Sequence, residues 1–338
     1  MDFSPDEGQQ AVADVVTSAL GRDNTWEALV GGGVLAFGVP DRLGGDGLGL
    51  AELTSALTEI GRHGNTSAGF ATLASTLILL DLASDEQQDR YLAGVAKGGV
   101  VATALNEPGR ALPDRPTTNL IGGKLSGTKI GVPYAAQADW LVVSTDNGVA
   151  VVSPKADGVT LTKTPTANHA CEYAVVFDDA DADVIDGSVE RVNQLALAAI
   201  GAYAAGLVAG ALRLTADYVA KREQFGRPLS TFQTVAAQLA EVYIASRTIS
   251  LAATSVIWRL TEDRDAAEDL DVLGYWITSQ APPVMQTCHH LHGGMGMDID
   301  YPMDRYYSTI KDLTRLLGGP SHRLDLVAAA PGERSDGR

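Results

Sequence analysis

The sequence predicts an α+β protein in which helices come first, an all-β unit follows, and a helical bundle closes the chain. Three observations carry this. Residues 1–98 show helical apolar spacing, as in "LAELTSALTEIGRHG" and "TSAGFATLASTLILLDLAS". Residues 99–187 break into short β-branched runs separated by Gly, Pro, Asp and Asn. From residue 188 the apolar period returns to that of a helix and holds over long stretches.

In the first segment, "SPDEGQQAVADVV" reads as a helix start, with Ser4 as N-cap, Pro5 at the first helical position and Glu7 three residues after the cap. "RLGGDGLGL" is a glycine-rich turn; it follows no strand, so it is not a dinucleotide fingerprint. Ser84, in "SDEQQDRYLAGVAKG", opens another helix. In the middle segment, "GVVATAL", "WLVVST", "GVAVVSP", "GVTLTK" and "EYAVVFD" read as short antiparallel strands. In the third, periodic runs cover about 190–222, 231–262 and 267–290, with a shorter pair after Pro302. Residues 331–338 are expected to be a flexible tail.

Composition narrows the function classes. The chain has 338 residues, with 42 acidic against 25 basic, a formal charge of −17. A field of that sign repels nucleic acid and anionic membranes, so any polyphosphate must be held by a local basic cluster or by backbone N–H groups. Cys171 and Cys288 stand far apart, which argues against a disulfide framework and suits a reducing cytosol. The N-terminus "MDFSPDEGQQ" is acidic, unlike a signal peptide, so a cytoplasmic protein is expected. "LALAAIGAYAAGLVAGAL" (Leu195 to Leu212) is uncharged and near the length that spans a bilayer. Its hydrophobicity rests on Ala and Gly, so a buried helix packed closely through small residues is expected instead.

Four elements in order resemble one family. "VPDRLGGDGLGL", "LNEPG", "KREQFGRPLSTFQTVAAQLAE" and "HLHGGMGMDIDYPMDRYYSTIKD" are similar to the motifs of the acyl-CoA dehydrogenases. The resemblance implies an N-terminal helical domain over 1–98, a middle β-barrel over 99–187 and a C-terminal four-helix bundle over 188–330. It also implies FAD-dependent α,β-desaturation of an acyl-CoA thioester. That chemistry needs a carboxylate to take the α-proton and an oriented flavin to take the β-hydride. Counting on from Tyr301, the family's usual base falls on Leu317, followed by Gly318 and Gly319. The position on an earlier helix used by other members falls on Ala196. The family's flavin-ring contacts in the β unit fall on Gly131 and Pro133, and "RALPD" replaces its Ala-Gly-Ser-Asp. Pro offers neither N–H nor hydroxyl.

A second set of positions is retained. Arg222, Phe225 and Gln233, with the glycine turn His290-Leu291-His292-Gly293-Gly294, stand where the family completes the FAD site of a neighbouring subunit. Glycines there let backbone N–H groups approach a phosphate. The pattern is similar to the base-less subunit of the α2β2 acyl-CoA dehydrogenases of actinobacterial cholesterol side-chain degradation. It implies a catalytic partner subunit, a steroid acyl-CoA substrate and an electron-transfer flavoprotein as acceptor. Two rivals stay open: a homotetramer with a relocated base, and a flavin-free scaffold or CoA-ester-binding protein. Asp298, Asp300 and Asp304 are candidates for a displaced base, although a solvated capping role suits their place by the glycine turn. His289, His290 and His292 lack a carboxylate or thiolate at metal-ligand spacing, and Cys288 reads as a buried helix residue.

Overall fold

The computed structural model describes residues 4–329, so the expected tail 331–338 lies outside the described residues. The chain opens with α1 (Glu7–Arg22), α2 (Trp26–Gly31), α3 (Leu50–Arg62), α4 (Gly69–Leu82) and α5 (Asp85–Leu92). Eight strands follow: β1 (Val101–Ala104), β2 (Asn119–Ile121), β3 (Lys124–Pro133), β4 (Trp140–Thr145), β5 (Gly148–Val152), β6 (Val159–Thr164), β7 (Glu172–Asp181) and β8 (Asp183–Ile185). The last part holds α6 (Val189–Lys221), a small hairpin of β9 (Glu223–Gln224) and β10 (Arg227–Pro228), then α7 (Gln233–Thr261), α8 (Ala267–His292), α9 (Pro302–Leu316) and α10 (Gly319–Ala328).

The first helix starts two residues later than the sequence suggests. Asp6, not Ser4, is the N-cap: its carboxylate accepts from the Gln9 N–H at 2.8 Å, and the Gln9 side chain accepts from the Asp6 N–H at 2.9 Å. A charged oxygen at the positive end of a helix outcompetes a serine two residues earlier. Ser84 caps α5 as expected, in a capping box with Gln87.

The strands form two four-stranded sheets, ordered β1-β4-β5-β8 and β2-β3-β7-β6. The barrel is thus built as two hydrogen-bonded halves around one core containing Leu125, Val132, Leu141, Val143, Val175 and Phe177. One pairing departs from expectation: β1 runs parallel to β4, because the long excursion through β2 and β3 lies between them and no tight turn joins the two strands. The first sheet is buried on both faces. Leu141, Val143, Ala150 and Val152 face the second sheet, while Val142, Val149 and Val151 join the helical core. This is why "WLVVST" and "GVAVV" lack a polar face.

The helices before and after the β unit share a single core, to which Leu53, Leu57 and Ile60 of α3 and Leu195, Tyr203 and Leu207 of α6 all belong. The contact is backbone to backbone. A Cβ on Gly206 would lie 1.9 Å from the Thr58 carbonyl oxygen, and one on Gly61 would lie 2.2 Å from that of Tyr203. α6 is long and apolar enough to cross a membrane, yet 83% of its most apolar stretch is buried inside the protein. Its Ala and Gly content is explained by this close approach.

Candidate functional site

At the junction of α4, α6, α9 and the β unit lies a cavity of about 60 Å³. Phe70, Leu105, Asn106, Gly131, Pro133, Ala196, Ile200, Leu313 and Leu316 are among its lining residues, and no lining side chain is ionisable. The two positions where flavin-ring contacts are expected, Gly131 and Pro133, and one of the two base positions, Ala196, therefore meet in one place. The other base position, Leu317, ends α9 beside Leu316 and is fully buried.

Leu316 keeps this space small. A Cβ on Gly131 would sit 2.5 Å from Leu316 Cδ2, and Gly131 itself has φ +67° within an irregularity of the β3–β7 pairing. Glycine is required there for two reasons, the backbone conformation and the leucine above it. The end of α9 is tied down by polar contacts. Asn106 donates from Nδ2 to the Leu316 carbonyl at 2.8 Å, and the buried Arg323 donates from Nε to the Leu317 carbonyl at 2.8 Å. The Asp312 carboxylate accepts from the Ala167 and Asn168 N–H groups, and Arg315 pairs with Glu172. An enclosed cavity of ~150 Å³ takes up one benzene ring, and the space here is smaller.

Beside the cavity, Glu107 of the "NEPG" element forms a buried network with Lys129. Lys129 Nζ reaches Glu107 Oε1 at 3.0 Å, the Leu105 carbonyl at 3.1 Å and Ser144 Oγ at 3.1 Å. Glu107 also accepts from the backbone N–H and hydroxyl of both Thr117 and Thr118. Burial alone would raise the Glu107 carboxyl; the Thr117 N–H, Lys129 and the Thr118 N–H outweigh it and hold the group down to about 2. Burial pulls the Lys129 ammonium down, to about 8, against the attraction of Glu107. These two charges hold loops and strands together and have no free face for a substrate.

The retained half-site lies elsewhere, at the C-terminus of α6 and the start of α7. Arg222 is the C-cap of α6, is exposed, and joins no ion pair among the described residues. Phe225 and Gly226 form the tip of the β9–β10 hairpin with φ +54° and +77°. Both central residues of such a turn need positive φ, which is costly for a phenylalanine, and this ring is 91% exposed. Phe225 meets Phe232 edge to face at 6.2 Å, and Arg227 lies over the Phe232 ring at 4.1 Å. Gln233, exposed, is the first residue of α7, whose N-cap Phe232 has no side-chain oxygen to occupy the free N–H groups.

The glycine turn closes α8. Gly293 takes φ +59° and its N–H donates to the His290 carbonyl, while Cβ atoms on Gly293 and Gly294 would meet nothing within 4 Å, so there is open space for a ligand beside this turn. His290 is exposed beside it. The expectation that the whole run faces a cofactor needs correction for two side chains. Leu291 is packed inside, and His292 is 2% exposed. The helical period sends positions 291 and 292 inward and 290 outward. The acids resolve similarly: Asp298 accepts from the Asp300 N–H, Asp304 sits in the first turn of α9, and none of the three lines the cavity. Burial pushes the Cys288 thiol up to about 11, so it is no nucleophile at neutral pH.

The half-site therefore offers an unpaired guanidinium, an open glycine turn, an uncapped helix start and an exposed aromatic ring, which suits a diphosphate-bearing ligand such as FAD. Sequence reasoning missed Arg227, Thr215 and Tyr218. The last two stand seven and four residues before Arg222, a spacing that places them on its helix face.

Residues 194–330 match the model of the acyl-CoA dehydrogenase C-terminal domain and residues 2–99 that of the N-terminal domain. The chain is 70% identical over 334 residues to the acyl-CoA dehydrogenase FadE28 of Mycobacterium tuberculosis, covering 97% of this chain and 98% of that protein. Among solved structures it resembles the ChsE4-ChsE5 complex from Mycobacterium tuberculosis, with a TM-score of 0.88, 27% identity, and coverage of 98% and 100% of the two chains. It also resembles the Tcur3481-Tcur3483 steroid ACAD, with a TM-score of 0.85, 31% identity, and coverage of 95% and 96%. Motifs, fold and these likenesses agree, and the chain belongs to the acyl-CoA dehydrogenase family.

Proposed function

We propose that this chain is a non-catalytic subunit of a heteromeric, FAD-dependent acyl-CoA dehydrogenase, assembled α2β2 with a catalytic subunit of the same family in the cytoplasm. The complex removes two hydrogens across the α,β bond of a steroid-side-chain acyl-CoA and delivers the electrons to an electron-transfer flavoprotein. FAD, when bound, supplies the hydride acceptor. This chain's contribution is to hold the diphosphate and adenosine end of the partner's cofactor, through Arg222, Phe225, Gln233 and the backbone of Gly293 and Gly294.

The observation that carries the reading is the contrast between its two sites. The one where a base and flavin ring belong is a 60 Å³ apolar cavity with no ionisable group and Leu316 across it. The one that faces outward keeps an unpaired arginine and an open glycine turn. The likeness to heteromeric relatives supports the choice of a second subunit over a second copy.

The test is purification of the chain alone and with a co-expressed catalytic subunit. Both samples are supplied with FAD, a steroid acyl-CoA and an artificial electron acceptor. Stoichiometric flavin and dye reduction are expected only from the pair. Turnover by the isolated chain at the rate of an ordinary family member would sink the proposal.

A further inference from the structure

Between the two parts of the half-site lies a buried group that the proposed function does not use. His292 immediately precedes Gly293, and both of its ring nitrogens are engaged. Nε2 lies 3.2 Å from Thr215 Oγ1 on α6, and Nδ1 lies 3.0 Å from the Tyr301 hydroxyl at the N-cap of α9. The tautomer follows from the chain of hydrogen bonds. Thr215 donates its hydroxyl hydrogen to the Ala211 carbonyl at 2.7 Å. Its oxygen must therefore accept from His292, which makes Nε2 the protonated nitrogen and Nδ1 the acceptor from Tyr301. Burial pushes this imidazole down to about 4, so it is neutral at physiological pH, as that arrangement needs. The Tyr218 ring lies against it, with centroids 4.5 Å apart. Tyr218 is one turn before Arg222, whose N–H donates to the Tyr218 carbonyl at 2.8 Å.

One imidazole thus joins three elements: α6, which ends in Arg222; α8, which ends in the glycine turn; and the start of α9. We infer that His292 is a positioning residue, clamped by Thr215, Tyr218 and Tyr301, which sets the glycine turn and Arg222 at the spacing a diphosphate requires. The inference rests on the FAD half-site proposed above. His292 touches no ligand itself; it acts through Gly293, Gly294 and Arg222.

The test uses the complete complex of this chain with its catalytic partner, stripped of flavin and titrated with FAD while flavin fluorescence is followed. His292→Phe keeps a ring against Tyr218 and removes both hydrogen bonds; it should weaken FAD binding about tenfold. Tyr301→Phe removes one bond and should weaken it less. In the double variant the loss should equal that of His292→Phe alone, because Tyr301 acts through the imidazole. The flavin-free complexes should keep their subunit ratio, with a melting temperature lowered by the lost buried hydrogen bonds, and saturating FAD should restore the wild-type flavin spectrum. A merely structural role would lower the melting temperature and leave the affinity; positioning lowers the affinity as well. Arg222→Ala runs in the same series. Wild-type affinity in His292→Phe with weakened binding in Arg222→Ala overturns the inference and leaves the half-site standing; wild-type affinity in both overturns both. If His292→Phe does not assemble, Tyr301→Phe decides: unchanged affinity there refutes the clamp.

Discussion

Glu107→Gln tests the physical account of the β unit most directly. Glu107 is 1% exposed and accepts from five donor groups: the N–H and hydroxyl of Thr117, the same pair on Thr118, and Lys129 Nζ. A glutamine in this place keeps one accepting oxygen and turns two N–H donors toward groups that also donate. It removes the counter-charge of Lys129, which is 0% exposed. Removing one member of a buried pair costs about 3–5 kcal/mol. The hydrogen bonds and charge that depress the Glu107 carboxyl point the same way: a drop from the ordinary 4.5 to about 2 corresponds to roughly 3 kcal/mol at ~1.4 kcal/mol per pH unit. The sign follows from the depressed value. The contribution is complete above pH 4.5 and is lost as pH falls toward 2. Urea unfolding followed by circular dichroism should therefore find the variant about 3–5 kcal/mol less stable at pH 7. The gap to wild type should narrow by roughly 2 kcal/mol at pH 3, where the wild type is losing what the variant already lacks. A variant within 1 kcal/mol of wild type at pH 7, or a gap indifferent to pH, would refute the reasoning.

Three further outcomes are expected. Gly206→Ala pushes a methyl to 1.9 Å from the Thr58 carbonyl and should cost about 3 kcal/mol or more, whereas Gly21→Ala, in α1 with open space around it, should stabilise by ~0.5–1 kcal/mol; thermal unfolding compares them. Leu317→Glu places a carboxyl in a fully buried apolar site, where the one cation close by, Arg323, is already held on the Leu317 carbonyl, so the melting temperature should fall and the isolated chain should still reduce no dye with acyl-CoA. Arg222→Ala should weaken FAD retention by the complex roughly ten- to a hundredfold, with Arg222→Lys intermediate because a point charge lacks the two-pronged donor geometry; equilibrium titration with FAD measures both.

The sequence made the element order readable because period and composition change sharply at the ends of the β unit. It misplaced the first cap because Ser4 and Asp6 are both competent and only geometry decides between them. The parallel pairing of β1 with β4 was hidden for a related reason: β-branched runs reveal strands, but the direction of a neighbour depends on the connection between them. At the site, the likeness of "KREQFGRPLSTFQ" and "HLHGG" to family motifs marked Arg222, Phe225, Gln233 and the glycine turn; residue types alone did not, because an arginine at a helix end is ordinarily a surface charge. The inward turn of His292 and the placement of Leu316 over Gly131 depend on contacts between segments 77 and 185 residues apart in sequence, which no local pattern records.

The shared core of α3 and α6 also bears on how the chain is made. Gly61 and Gly206 meet backbone to backbone, yet 145 residues separate them, and the whole β unit is synthesised in between. At ~5–20 residues per second, the apolar flank of α3 waits roughly 7–30 s on the ribosome before α6 emerges to cover it. The face of α3 at Thr58, Gly61 and Arg62 is uncovered throughout that interval. The nascent protein is thus most vulnerable while its first hundred residues look finished but are not, and a chaperone acting on this chain has its work set at that stage rather than after release.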